Sequence, residues 1–282
     1  MNVRQLFQKA FVGGQWYVAY RKNSDKDFQV ISTSNDIWIA DPFLYEYNSE
    51  HFLFVEVYEK KYGKASIGYF KFENGIPVYK GIVIRESFHM SYPCVFEENG
   101  TIYMIPETSA DKSIRLYKAV SFPDKWVFEK KLIEGARYVD TTYCQKSAQS
   151  YLLTYKKENE LWVLDIFKFN IKEKIFDKIS SKNYDENYGR PAGFVFDKVY
   201  RPAQFCKNKY GEKLVVYLIE KMVPYKEKMI SELTIENFDL SDFYDRVHTY
   251  NKNSMYEVID LFKENLDLFH GFKIFKRKYL TR

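Results

Sequence analysis

The chain is poor in cysteine and has no apolar run long enough to cross a membrane. Its three cysteines, Cys94, Cys144 and Cys206, are odd in number and widely spaced, which argues against a disulfide framework and a zinc site. No uninterrupted apolar stretch approaches the roughly 18 residues of a membrane span. The segment MNVRQLFQKAFVGGQWYVAYRK lacks the apolar core of a secretory signal. These absences predict a cytoplasmic protein with at most peripheral contact to the inner face of the membrane.

Common catalytic signatures are missing as well. The sequence has no glycine-rich phosphate loop, no GxSxG elbow and no HExxH pair, so three widespread chemistries lack their usual residues. The net charge of +5, from 43 basic and 38 acidic residues, is too small and too dispersed for a nucleic-acid surface. We therefore expect no nucleic-acid partner, no metal and no other cofactor.

What the chain has in excess is aromatic side chains. It contains 25 Tyr, 24 Phe and 4 Trp, which together make up 19% of the residues. Tyr and Phe favour strands, and the sequence lacks the long apolar stripes with helical spacing that would predict helices. A hydrophobic share of 46% excludes a disordered chain. The composition predicts an all-β fold.

A repeat of about fifty residues organises the chain. Four segments of the form strand, polar turn, strand start 51, 48 and 50 positions apart. They are DPFLYEYNSEHFLFVE from Asp41, YPCVFEENGTIYMIPE from Tyr92, DTTYCQKSAQSYLLTY from Asp140 and RPAGFVFDKVYRPAQF from Arg190. Two further strands follow each segment, so one repeat holds the four antiparallel strands of a propeller blade.

The repeats predict a single five-bladed β-propeller domain over 1–282. The blades start near residues 41, 92, 140 and 190, and the fifth is a composite of 1–35 and 240–275. N-terminal strands would join the C-terminal blade, because closing the ring removes exposed sheet edges. The alternative is a β-sandwich whose segment spacing is coincidental.

Polar residues recur at the same phase of the repeat. The four segments begin with Asp41, Tyr92, Asp140 and Arg190. Their second strands end at Glu56, Glu107, Tyr155 and Gln204 with Phe205. Both ends of such a hairpin lie at the same edge of a sheet, so we expect the two sets to converge at the axis. The alternative is local: Asp41 precedes a proline as turn residues do, and the two glutamates stand where strands exit into solvent.

Two arginines followed by Pro-Ala, Arg190 and Arg201, are candidates for binding an anionic group or orienting an acid. The alternative for each is an internal ion pair with an acidic residue.

Two histidines and two aromatic residues complete the candidate set. His89 and His248 precede inner-strand positions, although a lone histidine is more often a surface or core residue. Trp38 and Tyr92 offer flat faces on which a sugar ring stacks, and their alternative is ordinary core packing.

Taken in order, a series of short motifs resembles a known family. The motifs are ADPFL, LFVE, SYPCVFEENGTIYMIPET, IRLYKA, FPDKW, DTT, RPAG, YRPAQ and HTYN. They resemble the N-terminal propeller of plant glucosamine inositolphosphorylceramide transferases and of related proteins from bacterial polysaccharide clusters. The resemblance covers roughly residues 38 to 260. It also implies distant kinship with five-bladed glycoside hydrolases that act on furanosides.

The resemblance implies a propeller of cell-surface polysaccharide or glycoconjugate biosynthesis, which binds and transfers or hydrolyses a glycosyl unit at its axis. As a glycosyltransferase or glycoside hydrolase, it would use Asp41 as base or nucleophile, Glu107 as acid and Asp140 to orient one of them. Tyr92 stands where the hydrolases carry a second acid. The alternative is a non-catalytic sugar-binding or docking module that partners a co-encoded glycan-assembly enzyme.

Overall fold

The computed structural model describes residues 12–173, 175–184 and 186–266. These residues form five antiparallel sheets of four strands each. The helices found among them are two 3-10 segments, Ser109–Asp111 and Ile235–Phe238. In the described ranges, no helix has the length and apolar character needed to cross a lipid bilayer.

The chain enters through the fifth blade and then builds the other four in order. The first two strands are β1 (Val12–Lys22) and β2 (Gln29–Val30). The first blade holds β3 (Ile37–Tyr47), β4 (Glu50–Glu59), β5 (Lys64–Glu73) and β6 (Ile76–Ile84). The second holds β7 (Ser91–Glu98), β8 (Thr101–Glu107), β9 (Ser113–Ser121) and β10 (Lys125–Glu134).

The remaining strands complete the ring. The third blade holds β11 (Val139–Lys146), β12 (Gln149–Glu158), β13 (Leu161–Asn170) and β14 (Ile175–Tyr184). The fourth holds β15 (Arg190–Pro191), β16 (Tyr200–Phe205), β17 (Lys213–Met222) and β18 (Tyr225–Leu233). The last strands are β19 (Tyr250–Lys252) and β20 (Tyr256–Leu266).

The fifth blade joins the two ends of the chain. Its strand order is β19-β20-β1-β2, so the C-terminal strands form its inner half and the N-terminal strands its outer half. β1 pairs with β20 from Val12 opposite Leu266 to Lys22 opposite Tyr256. The prediction of a five-bladed propeller closed by its N-terminal strands is confirmed. Parts of the predicted composite blade, 1–11 and 267–275, lie outside the described residues.

Aromatic and aliphatic side chains pack between neighbouring blades. Five apolar clusters fill the contacts between neighbouring blades, one for each pair around the ring. Phe43 and Phe54 of the first blade, for example, pack with Tyr92 and Met104 of the second. Because each sheet buries both faces against neighbours, the strands carry apolar residues on successive positions.

Three of the four repeated segments, those of the first, second and third blades, carry the same β-bulge in the inner strand. The ladder skips two residues of the inner strand and one of its partner at Asp41–Pro42, at Tyr92–Pro93 and at Asp140–Thr141. The first residue of each pair has a positive φ, of 48°, 47° and 49° respectively. Non-glycine residues adopt this backbone rarely, and it is retained where structure or function requires it. The bulge aims each of these side chains at neighbouring blades.

Candidate functional site

We call the mouth of the propeller the region around Asp41, Glu56, Glu107, Asp140 and Arg190, near the start of the inner strands. Ala40 pairs with Glu56, Ser91 with Glu107, Val139 with Tyr155 and Arg190 with Gln204. In the first three blades, the second-strand residue therefore stands directly beside the bulge. The contacts below show which of these side chains meet across the axis.

Asp41 and His248 meet where the first and fifth blades adjoin. Asp41 Oδ1 lies 3.2 Å from His248 Nε2, and Asp41 Oδ2 accepts the backbone N–H of Tyr92 at 3.1 Å. Burial alone would raise the pKa of Asp41, but the hydrogen bond and charge of His248 outweigh it and lower that pKa. Asp41 is an ionised carboxylate although it is 5% exposed.

Asp260 holds the other side of the His248 ring. Its Oδ2 lies 2.7 Å from His248 Nδ1 and accepts the backbone N–H of Asp41 at 3.2 Å. Its Oδ1 accepts the backbone N–H groups of His248 and Thr249 at 3.1 and 2.9 Å. Burial would lower the pKa of His248, but Asp260 first, and then Asp41, raise it to about 10. His248 is therefore an imidazolium at neutral pH.

Sequence reasoning missed Asp260. It lies within the run VIDLF of β20, where an acid between apolar neighbours was the one available signal. A buried acid in such a strand needs a partner, and that partner, His248, lies in the loop before β19.

Arg190 binds two acids from the preceding blades. Its Nε donates a short hydrogen bond to Asp140, and its Nη2 lies 3.1 Å from both Asp140 Oδ1 and Glu107 Oε2. Gln204 Nε2 donates to Asp140 Oδ2 at 3.0 Å. Burial lowers the pKa of Arg190, but Asp140 and then Glu107 raise it well above its ordinary value. One guanidinium thus serves two carboxyl groups, and burial raises the pKa of Asp140 against the opposing effect of Arg190.

Glu56 contacts a histidine, whereas Glu107 and Asp140 contact Arg190. Its Oε1 lies 3.4 Å from Nε2 of His89, whose Nδ1 accepts the backbone N–H of Ala65 at 3.2 Å. Burial and then the charge of Asp41 raise the pKa of Glu56 well above its ordinary value. Glu56 therefore keeps its proton to a higher pH than Asp41, whose pKa is lowered.

Tyr92 is buried among the inner strands instead of offering a face to solvent. Its ring is fully buried, and it packs edge-on against Phe43 with ring centroids 4.6 Å apart. Its hydroxyl lies 2.8 Å from Thr142 Oγ1 and accepts the backbone N–H of Gly193 at 2.7 Å. The fully buried ring has no exposed face for the expected stacking on a sugar. The side chain instead joins its own blade to the first, third and fourth blades.

Arg201 does not join the residues at the mouth. It is fully buried and donates two hydrogen bonds of 2.9 Å to the carboxylate of Glu227. It also donates to the carbonyl of Gly189 and to the hydroxyl of Tyr184, each at 3.0 Å. All of these contacts lie between the third and fourth blades. The expected ligand contact is therefore replaced by the internal ion pair that the sequence left open.

Trp38 is packed at the rim. It pairs across the strands with Tyr58, and the two rings stack with centroids 4.6 Å apart and planes 9° apart. Its side chain is half-buried, so part of the ring remains open to solvent while one face is occupied by Tyr58.

One cluster at the mouth has the donor types of a metal site. Asp41, His248 and Asp260 each offer an atom within 4.8 Å of the others. The imidazolium form of His248 has no free lone pair, so a cation would first have to displace its proton. The geometry is that of a charged acid–histidine–acid series.

Solved structures with the same fold include glycoside hydrolases. A family 117 glycoside hydrolase from the marine bacterium Zobellia galactanivorans matches with a TM-score of 0.56 and 13% identity, over 92% of each chain. The catalytic domain of the GH62 α-L-arabinofuranosidase from Coprinopsis cinerea matches with a TM-score of 0.59 and 8% identity. That match covers 87% of this chain and 97% of the other. At such identities the likeness shows the propeller fold alone.

Curated relatives share more of the sequence. Glucosamine inositolphosphorylceramide transferase 1 from Oryza sativa subsp. japonica is 33% identical over 208 residues, and the match covers 67% of this chain and 27% of the relative. The protein of that name from Arabidopsis thaliana is 32% identical over 199 residues, covering 65% and 26%. This chain therefore spans about a quarter of their length. The family model described as "Glucosamine inositolphosphorylceramide transferase 1, N-terminal" matches residues 24–249, and the chain belongs to that family.

Proposed function

We propose that this propeller binds a carbohydrate at its mouth and serves the assembly of cell-surface polysaccharides or glycoconjugates. The observation that carries the proposal is the convergence of partly accessible polar side chains from different blades. Side-chain exposure is 20% for Arg190, 12% for Glu107, 34% for His89 and 8% for both Asp41 and Glu56. Carboxylates and a guanidinium held in fixed positions are suited to paired sugar hydroxyls.

The relatives support the same class of ligand. Those from rice and Arabidopsis are named as glucosamine inositolphosphorylceramide transferases, and the propellers of similar fold include sugar hydrolases. Because this chain covers about a quarter of the plant proteins, we propose sugar binding for it rather than their whole activity. A cytoplasmic location remains part of the proposal.

A second candidate function is glycosyl cleavage or transfer. Glycosidic chemistry needs one ionised and one protonated carboxyl group, and the mouth contains Asp41 with a lowered pKa and Glu56 with a raised one. Asp41 keeps the role of base proposed from sequence. Because Glu107 is ion-paired with Arg190, we assign the role of proton donor to Glu56, which acts together with Asp41. Arg190 and Gln204 hold Asp140 in position.

In hydrolysis, the glycosidic bond would be cleaved in a single step. Water adds to the anomeric carbon and gives a proton to Asp41, while the bond to the leaving oxygen breaks and that oxygen takes the proton of Glu56. In transfer, an acceptor hydroxyl replaces the water. Asp41 then returns its proton to solvent, and Glu56 regains one.

A glycan array with the purified protein tests the proposal, followed by calorimetric titration of the best glycan. Asp41→Asn and Asp140→Asn are expected to weaken binding at least about tenfold, which corresponds to about 1.4 kcal/mol. Asp177→Asn, at an exposed acid on the outer strand of the third blade, is the control and should bind like the wild type. Equal binding by all variants would refute the proposed binding site at the axis. An empty array, with binding to a co-encoded glycan-assembly enzyme, would establish the docking alternative.

Turnover of a bound glycan tests the second candidate separately. Asp41→Asn and Glu56→Gln should each abolish release of the reducing sugar, and Glu107→Gln distinguishes the two possible proton donors. If Glu56→Gln turns over at the wild-type rate while Glu107→Gln does not, the proton donor is Glu107. If none of the three changes the rate, these carboxyl groups are not the catalytic acid and base and contribute at most to binding.

A further inference from the structure

We propose that Tyr210 is the platform on which the bound sugar ring stacks, and that the site takes a neutral or ammonium-bearing sugar rather than an acidic one. The inference rests on the proposed function and names the ligand class of the same site. Tyr210 was not among the candidates from sequence, because it lies in the turn-like segment CKNKYGE rather than in a repeated strand.

The ring of Tyr210 lies beside the charged residues of the mouth. Its centroid is 5.5 Å from the guanidinium carbon of Arg190 and 5.0 Å from the centroid of the His248 ring. These are the side chains that hold Asp140 and Asp41 respectively. Tyr210 nevertheless remains 40% exposed. A partly exposed aromatic ring next to hydrogen-bonding acids can stack on the C–H face of a sugar while the hydroxyls of the sugar are bound.

The loop that carries Tyr210 is fixed by its own hydrogen bonds. Asn208 donates to Glu212 through its backbone and side chain, at 2.9 and 3.0 Å. The carbonyl of Tyr210 accepts from Arg246 at 3.2 Å, and that of Gly211 accepts the N–H of Val247 at 3.2 Å. The ring is therefore held in place before a ligand arrives, which reduces the entropy lost on binding.

Gly211 lets the loop approach the fifth blade. Its φ is +71°, and a Cβ at this position would lie 3.1 Å from Trp16 and 3.4 Å from His248. Trp16 and Tyr210 form a T-shaped contact with ring centroids 6.0 Å apart. A side chain at 211 would thus strain the backbone and press on the rings that support Tyr210.

The charges at the mouth select against anions. Even without Glu56, whose raised pKa favours its protonated form, the carboxyl groups that meet there outnumber the positively charged groups. Asp41, Glu107, Asp140 and Asp260 face Arg190 and His248. Both cations are already engaged by these acids. An acidic sugar would bring a further negative charge to an excess of carboxylates, whereas a hydroxyl or an ammonium group can donate to them.

Titration and saturation-transfer NMR with three oligosaccharides of similar size test both the stacking role of Tyr210 and the charge class of the sugar. They are a chitosan oligosaccharide with ammonium groups, its N-acetylated neutral counterpart and an oligogalacturonate. We expect the first or second to bind and the third to bind at least about tenfold more weakly. Tyr210→Ala should weaken binding about tenfold, while Tyr210→Phe keeps the ring and binds within about threefold of the wild type. Tyr47→Ala is the control, because Tyr47 is 37% exposed at the far end of an inner strand.

The outcomes separate this inference from the proposed function. If the wild type and Tyr210→Ala bind a sugar equally while Asp41→Asn does not, sugar binding at the mouth is supported and stacking on Tyr210 is refuted. If the oligogalacturonate binds most tightly, the ligand class is overturned. If none of the three oligosaccharides binds and the glycan array is empty, the proposed function fails and the inference fails with it.

Discussion

Asp41 and His248 form a buried ion pair across the seam that closes the propeller. Nε2 of His248 lies 3.2 Å from Asp41, and the ring packs against Trp16 of the N-terminal strand β1 with centroids 4.0 Å apart. The residues that close the ring are therefore also those that set the charge at the mouth. Stability and ligand binding are expected to depend on the same contacts.

The charge of His248 predicts a stability that declines in alkali. Its pKa rises from 6.5 to about 10 on folding, so the folded protein retains a proton that the unfolded chain releases. This contribution is complete below about pH 6.5 and is lost as the pH rises towards 10, and it amounts to on the order of 5 kcal/mol. Thermal melts between pH 6.5 and 9 should show a falling Tm that flattens in His248→Gln. The control His51→Gln should keep the slope, and an equal slope in His248→Gln would refute the assignment.

Glu56 is predicted to reduce stability at neutral pH. Its pKa lies well above the ordinary 4.5 because of burial and Asp41, so the unfolded chain releases a proton more readily than the folded protein. Stability then falls as the pH rises above 4.5. We expect Glu56→Gln to raise Tm more at pH 8 than at pH 5. The exposed Glu129→Gln serves as the control, and a lower Tm at pH 8 for Glu56→Gln would contradict the prediction.

Arg201 and Glu227 are predicted to be structural. Both side chains have 0% exposure and their charged groups are 2.8 Å apart, so Arg201→Met leaves a buried carboxylate without its main partner. We expect it to lower the free energy of unfolding in urea by about 3–5 kcal/mol. Replacing both, as Arg201→Met with Glu227→Leu, should recover much of the loss. A single variant as stable as the wild type would show that the pair contributes little.

Sugar binding distinguishes this pair from Arg190. The folded variant Arg201→Met with Glu227→Leu should bind the best glycan as the wild type does. The side-chain hydrogen bonds of Arg201 go to Glu227, Gly189 and Tyr184, which are not residues of the mouth. Arg190→Gln should weaken binding at least about tenfold, since it releases both Asp140 and Glu107.

Deleting residues 1–31 is predicted to abolish cooperative folding. The deletion removes β1 and β2 and so exposes the edge of β20 along its whole length. It also removes Val18 and Tyr20 from their apolar cluster, whose remaining residues become exposed. Thermal unfolding and size-exclusion chromatography should show a broad transition and association of the shortened chain. Adding a peptide of residues 12–31 should restore a monomeric, cooperative species. An unchanged transition without the peptide would rule out the closing role of β1.

The repeat made the mouth of the propeller predictable in position but not in contacts. Asp41, Tyr92 and Asp140 could be aligned in the sequence because each begins a segment with the same phase, and the structure gives all three the same bulge. Their partners could not be read in this way. Tyr92 reaches Gly193, and Asp41 reaches Asp260, across 101 and 219 residues of chain. Periodicity describes one blade at a time and does not specify which side chains meet between blades.

The sequence by itself determined the all-β class, the fifty-residue blade and the closure of the ring. These follow from strand-forming aromatic residues, the hairpin turns and two unmatched ends, all of which are local or periodic properties. Only the tertiary structure decided the roles of single side chains. Arg190 and Arg201 share the motif Arg-Pro-Ala, yet one borders the mouth and the other is sealed between blades with Glu227. The difference arises because burial, and the charge that faces each guanidinium, depend on residues contributed by other strands of the ring.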